Sequence, residues 1–167
     1  MTVAWSLLDL DRALRESWAA DTCSPDDQPE WHPENPAWGH CDITALLVND
    51  IFGGDLLVAE VHVDGAQRGF HWWNRLSSGV DLDLTREQFQ RGQTIGTPRV
   101  IERPPGPSPR RWSEYLLLRE RVSTLLGPLP GIPDVHCSLD EHRSTEVGNE
   151  QGLDSGSQRS HRPGTGL

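Results

Sequence analysis

LLVAEVHVDGAQRGFHWWNRLSSGVDLDL (residues 56–84) holds three apolar-rich runs separated by two turn signals. LLVAEVHV (56–63) and VDLDL (80–84) alternate in polarity and RGFHWWN (68–74) is aromatic, so each reads as a β-strand. Asp64-Gly65-Ala66-Gln67 reads as a two-residue hairpin with glycine first, the type II′ pattern. Arg75-Leu76-Ser77-Ser78-Gly79 reads as a longer hairpin loop, so the stretch predicts an antiparallel meander.

Burial sets the expected register, because a one-residue slip turns every side chain to the other face. Pairing Asn74 with Val80 sets Trp72 against Leu82 and Phe70 against Leu84, so the apolar faces coincide. That register places His71 opposite Asp83, with Asp81 as the diagonal neighbour. In the first hairpin, a turn at Gly65-Ala66 places Glu60 opposite His71. Either Asp83 or Glu60 is then placed to fix the imidazole tautomer.

Upstream, NPAWGHCDITALLVNDIFGG (35–54) starts a helix near His40 or Cys41 and ends it at Gly53-Gly54, with Ile43 or Thr44, Leu47, Val48 and Ile51 inward. A first helix is expected over 5–19, with Leu7, Leu10, Leu14 and Trp18 on one face. The Pro- and acid-rich loop between the two is long for a compact domain. Downstream, TREQF (85–89) offers Thr85 as the N-cap of a short helix, with glutamine at the capping-box position. ERPPGPSP (102–109) reads as a linker or surface loop. A last helix over 112–126 carries Tyr115, Leu118, Val122 and Leu125 or Leu126 on one face. The expected fold class is α+β: N-terminal helices packed on a small antiparallel sheet, then a C-terminal helix. Residues 1–132 read as one domain and 133–167 as a disordered tail without apolar periodicity.

The 167 residues carry a net charge of −10, which disfavours nucleic acid as a partner. All 15 basic residues are arginine, which excludes lysine Schiff-base chemistry and a P-loop ATPase. The N-terminal stretch has acids within it and does not read as a signal peptide; no apolar run is long enough for a membrane span. Three widely spaced cysteines, Cys23, Cys41 and Cys137, do not make a disulfide framework. A cytoplasmic location without membrane association is the expectation.

Cys41 at a helix start is either a small core residue or a nucleophile. The helix N-terminus favours the thiolate, and a nearby imidazolium would favour it further. Cysteine, histidine and carboxylate in that order are the parts of an activated thiol, with backbone N–H groups at the helix head available to an oxyanion. Trp38, Trp72 and Trp73 are either cleft walls or core. His32-Pro33-Glu34 matches the H-x-E of zinc deaminases, but Thr44 stands three residues after Cys41 where a second cysteine is needed. No metal and no cofactor is expected.

HPENPAWGHC, TALLVNDIFGG and FHWWNRLSSGVDLDLTREQF resemble the bacterial YunG-like family over about residues 31–89, with a looser tie at the final helix. The G-x-C, H-x-W-N and D-L-T-x-x-Q-F elements carry the resemblance. The segment order is also similar to the papain-like and transglutaminase-like superfamily, in which a cysteine opens a helix and a histidine and an acid follow on strands. That resemblance implies a nucleophile role for Cys41, a base role for His71 and an orienting role for Asp83. It also implies an oxyanion donor six residues before the cysteine, where this chain has Asn35 rather than glutamine. The expected activity is a thiol-dependent hydrolase or acyltransferase acting on an amide, ester or acyl bond of a small molecule, peptide or protein. The alternative is a non-catalytic binding domain with Cys41 structural; a third possibility is partner binding by the acidic tail.

Overall fold

The computed structural model describes residues 5–103 and 110–130, all within one compact unit. The tail over 133–167 and most of the proline-rich linker lie outside the described residues. The fold is α+β. Three helices, α1 (Leu7–Ser17), α2 (Cys41–Phe52) and α3 (Trp112–Leu126), pack with an antiparallel sheet of β1 (Asp55–Val63), β2 (Ala66–Arg75), β3 (Asp81–Leu82), β4 (Gln93–Ile95) and β5 (Arg99–Ile101). No helix among the described residues is long and apolar enough to cross a membrane.

α1 starts where Ser6 and Asp9 form a reciprocal capping box. Leu10, Leu14 and Trp18 are buried as expected, but Leu7 is exposed. α2 lies between the sheet and α3, and α1 packs on α3. The core is built where these meet, from Leu10, Leu14, Ile43, Leu47, Leu56, Tyr115, Leu118 and Val122. α3 matches the sequence expectation end to end and stops at Gly127.

β1 is the central strand and buries residues 56–59 in succession, so both its faces are covered. One edge pairs β2. The other pairs β4 at residues 61–63 and β5 at residues 56–58, with Gly96 N–H donating to Glu60 O between them. β4 and β5 therefore act as one strand interrupted at Gly96-Thr97-Pro98, where proline brings no ladder donor. Neither piece was expected from sequence.

The hairpin turn is Asp64-Gly65, not Gly65-Ala66. Val63 pairs with Ala66, and both turn residues have positive φ (51° and 79°), the type I′ signature. A bulge between Val61 and His62 follows from this placement. The second hairpin pairs Asn74 with Leu82 and Arg75 with Asp81. This is two residues from the expected register, so the parity of the faces is kept, but Leu82 meets Asn74 rather than Trp72, and Phe70 and Val80 are exposed. The ladder holds only those two pairs, and Thr85 opens a single 3-10 turn (Arg86–Gln88) rather than a capped helix.

Candidate functional site

His71 sits on β2 with no exposed surface, stacked on Trp73 (5.5 Å, 22° between ring planes) and edge-on to Phe89 (4.6 Å, 77°). Its Nε2 lies 2.7 Å from Asp83 Oδ2. An ionised carboxylate only accepts, so Nε2 carries the hydrogen of the neutral ring and Nδ1 keeps its lone pair. The other Asp83 oxygen accepts from Thr85 N–H (3.2 Å) and the Thr85 hydroxyl (3.3 Å). The carboxylate is thereby fixed from both sides. The other two candidate orienting acids are engaged elsewhere: Asp81 binds Arg75 (2.6 Å) and Trp73 Nε1 (3.2 Å), and Glu60, opposite Phe70 rather than His71, approaches His62 at 3.4 Å.

The head of α2 is locked by buried contacts. His40, the N-cap residue, donates from Nδ1 to Trp38 O (2.8 Å) and accepts the Thr22 hydroxyl at Nε2 (2.9 Å). Burial lowers its pKa to about 4, which keeps the ring neutral. Gly39 precedes it at φ +71°, and a Cβ there would meet Cys23 Sγ at 2.5 Å, so the chain needs glycine for both conformation and space. Arg111 reaches over from the start of α3 to Thr22 O (2.6 Å), Gly39 O (3.1 Å) and Asp42 Oδ1 (2.5 Å).

Cys41 is the first residue of α2 and is partly exposed. Its thiol rests on the open edge of β2, 3.9 Å from Phe70 O. Its pKa is pushed up to about 12, by burial first and then by the Asp42 charge. The nearby Trp72 backbone, the Gln88 side chain and the Arg111 charge pull the other way without offsetting this. The expected thiolate-favouring effect of the helix terminus is thus outweighed by desolvation.

Gln88 was not anticipated as a site residue, although it stands in the D-L-T-x-x-Q-F element. Its buried carboxamide lies with Nε2 2.8 Å from His71 Nδ1. Asn35 donates from Nδ2 to the backbone carbonyl of Gln88 (3.1 Å) and does not line the cavity beside Cys41. Its amide therefore ties the 3-10 turn down rather than facing the thiol as an oxyanion donor. The Asp42 carboxylate accepts from the next backbone N–H of the helix head, that of Ile43 (2.8 Å).

Cys41, His71 and Gln88 line one cavity of about 550 Å³, with Trp38, Trp72 and Phe89 among its walls. That volume suits a small organic molecule or a peptide side chain. Asp83 stands behind the imidazole, and Trp73 faces a separate cavity on the other side of the ring. Asp27 and Glu30 at the rim are acidic, while Arg68 supplies a cation. Among the described residues no three His, Cys, Asp or Glu side chains converge as a metal site.

A family model described as YunG protein matches residues 6–127. The "Uncharacterized protein YunG" of Bacillus subtilis (strain 168) is 35% identical over 77 residues, 46% of this chain and 57% of that protein. The chain thus spans a little over half the length of that relative. No solved structure matches.

Proposed function

We propose that this chain, which belongs to the YunG protein family, performs thiol chemistry on an acyl, amide or ester bond in the cavity beside Cys41. The observation that carries the reading is the fixed tautomer of His71. Asp83 holds the Nε2 hydrogen, so Nδ1, which Gln88 Nε2 meets at 2.8 Å, is the ring nitrogen left to act as base, and the ring lines the same cavity as the Cys41 thiol. A papain-like arrangement of helix-borne cysteine and strand-borne histidine is part of the proposal.

In the reaction, the S–H proton passes to His71 Nδ1 as sulfur attacks the carbonyl carbon. The S–C bond forms, and the carbonyl π pair moves onto oxygen. The intermediate collapses, and the leaving group departs with the proton from Nδ1. Water or a second acceptor then takes the acyl group from sulfur by the same steps, with Nδ1 as base. Asp83 orients the ring and stabilises the imidazolium throughout. The substrate is a small molecule, peptide or protein, handled in a cytoplasmic setting without nucleic acid.

A second reading, a binding domain with Cys41 structural, draws on the high thiol pKa. Incubation with p-nitrophenyl acetate and peptide mass spectrometry separates the two. Catalysis gives an acetyl thioester on Cys41 that His71→Gln and Asp83→Ala slow. An adduct no faster than that on Cys137 and indifferent to His71→Gln leaves the binding reading.

A further inference from the structure

The amide that meets His71 does more than fill space. The ring's Nε2–H is committed to Asp83, so Nδ1 accepts, and the atom facing it at 2.8 Å is a carboxamide N–H donor. The lone pair that must receive the thiol proton is therefore already occupied. The same side chain lies near enough to the Cys41 thiol to lower its pKa, and it lines the same cavity. We infer that Gln88 is a positioning residue that withholds the base: its side chain keeps the Cys41 proton from reaching His71 until the amide swings out of the cavity. This rests on the thiol chemistry proposed above.

The surroundings favour a side-chain movement over a movement of the turn. The backbone at Gln88 is held by Asn35 (3.1 Å), and Glu87 beside it is ion-paired to Arg15 of α1. Thr85, at the start of the turn, is bonded to Asp83. The carboxamide itself has torsional freedom about its side-chain bonds and faces a cavity large enough to receive it. A substrate carbonyl entering beside Cys41 supplies an alternative acceptor for the Gln88 N–H, so substrate arrival and release of Nδ1 become one event.

The test is the rate of Cys41 alkylation by iodoacetamide in the full chain, followed by peptide mass spectrometry across pH. The charged and titratable groups to account for are Asp42 and Arg111 beside the sulfur, His71 and Asp83 across from it, and Asp26, Asp27, Glu30 and Arg68 in the cavity lining. Gln88→Ala removes two opposed effects, the hold on His71 Nδ1 and the influence that lowers the thiol pKa; withholding of the base dominates, so the neutral-pH rate rises by on the order of tenfold, the equivalent of one hydrogen bond. Adding His71→Gln abolishes that gain. Gln88→Glu moves the rate the other way, because a carboxylate beside the sulfur opposes the thiolate; a purely structural role would move both variants together. Gln88→Met, apolar and similar in volume, repeats the Gln88→Ala result if the smaller side chain prevents folding.

An unchanged or slower Gln88→Ala, together with a His71-dependent acetyl adduct in the unaltered chain, overturns this inference and leaves the reaction standing. No His71-dependent adduct in any variant overturns both. A nitrogen NMR spectrum of the unaltered protein reads the same hydrogen bond directly, and an Nδ1 that carries the hydrogen overturns the inference.

Discussion

His71 and Asp83 meet at 2.7 Å although the ladder between their strands ends at Asn74 and Leu82, so the contact is made by side chains beyond the last paired residues. The join depends on the Asp83 carboxylate being oriented by Thr85 rather than by sheet geometry.

Asp83→Ala leaves a buried imidazole N–H without an acceptor and should cost about 1–3 kcal/mol in denaturant unfolding. Asp83→Asn, whose amide oxygen still accepts from Nε2–H, should retain most of that stability. Acetyl transfer to Cys41 should fall with Asp83→Ala by on the order of a hundredfold.

Gly39→Ala meets both a left-handed backbone and the Cys23 sulfur, so it should lose at least about 3 kcal/mol. Gly79 has a similar φ (+82°) and open space around it, so Gly79→Ala should lose only about 1–2 kcal/mol. The gap between the two thermal midpoints measures the clash at the head of α2.

Acid should weaken the fold through His40. Its folded pKa of about 4 lies below the ordinary 6.5, so between those values the unfolded chain binds the extra proton. Stability then rises with pH over that window and is lost on acidification through it, by about 3 kcal/mol at most. The slope of urea midpoint against pH should flatten in His40→Gln, and equal slopes would contradict the assignment.

Asp42→Asn removes the negative charge that ranks second among the causes raising the Cys41 pKa, and it leaves the Arg111 cation beside the sulfur. The pH midpoint of iodoacetamide alkylation should move down. The same variant should lower stability, because Arg111 loses its 2.5 Å partner in a mostly buried setting.

Much of the frame was legible in the sequence because local patterns carried it. The 41–52 helix stood out by its apolar period and closing glycines, and the 112–126 helix by its apolar period and the Gly127-Pro128 stop. The parity of the second hairpin followed from burial, which fixes faces but tolerates a shift of two residues. β4 and β5 stayed hidden because three residues are too few to show alternation, and their pairing with β1 is long-range. The first turn was misplaced because Gly65 was set at the first central position, whereas Asp64-Gly65 is the Asp-Gly pair that a type I′ turn prefers, with Asp64 taking positive φ. At the site, Cys41, His71 and Asp83 were visible as residue types in a suggestive order. Gln88 and the tether from Asn35 were not, because a glutamine and an asparagine show their partners only once distant segments are brought together.

The break at Gly96-Thr97-Pro98 also shapes how this molecule meets its neighbours. It divides the outer border of the sheet into two runs of three residues, with an amide-less proline between them. A foreign chain extending the sheet from that side finds no stretch long enough to register against, so strand-by-strand accretion there is discouraged by the backbone itself.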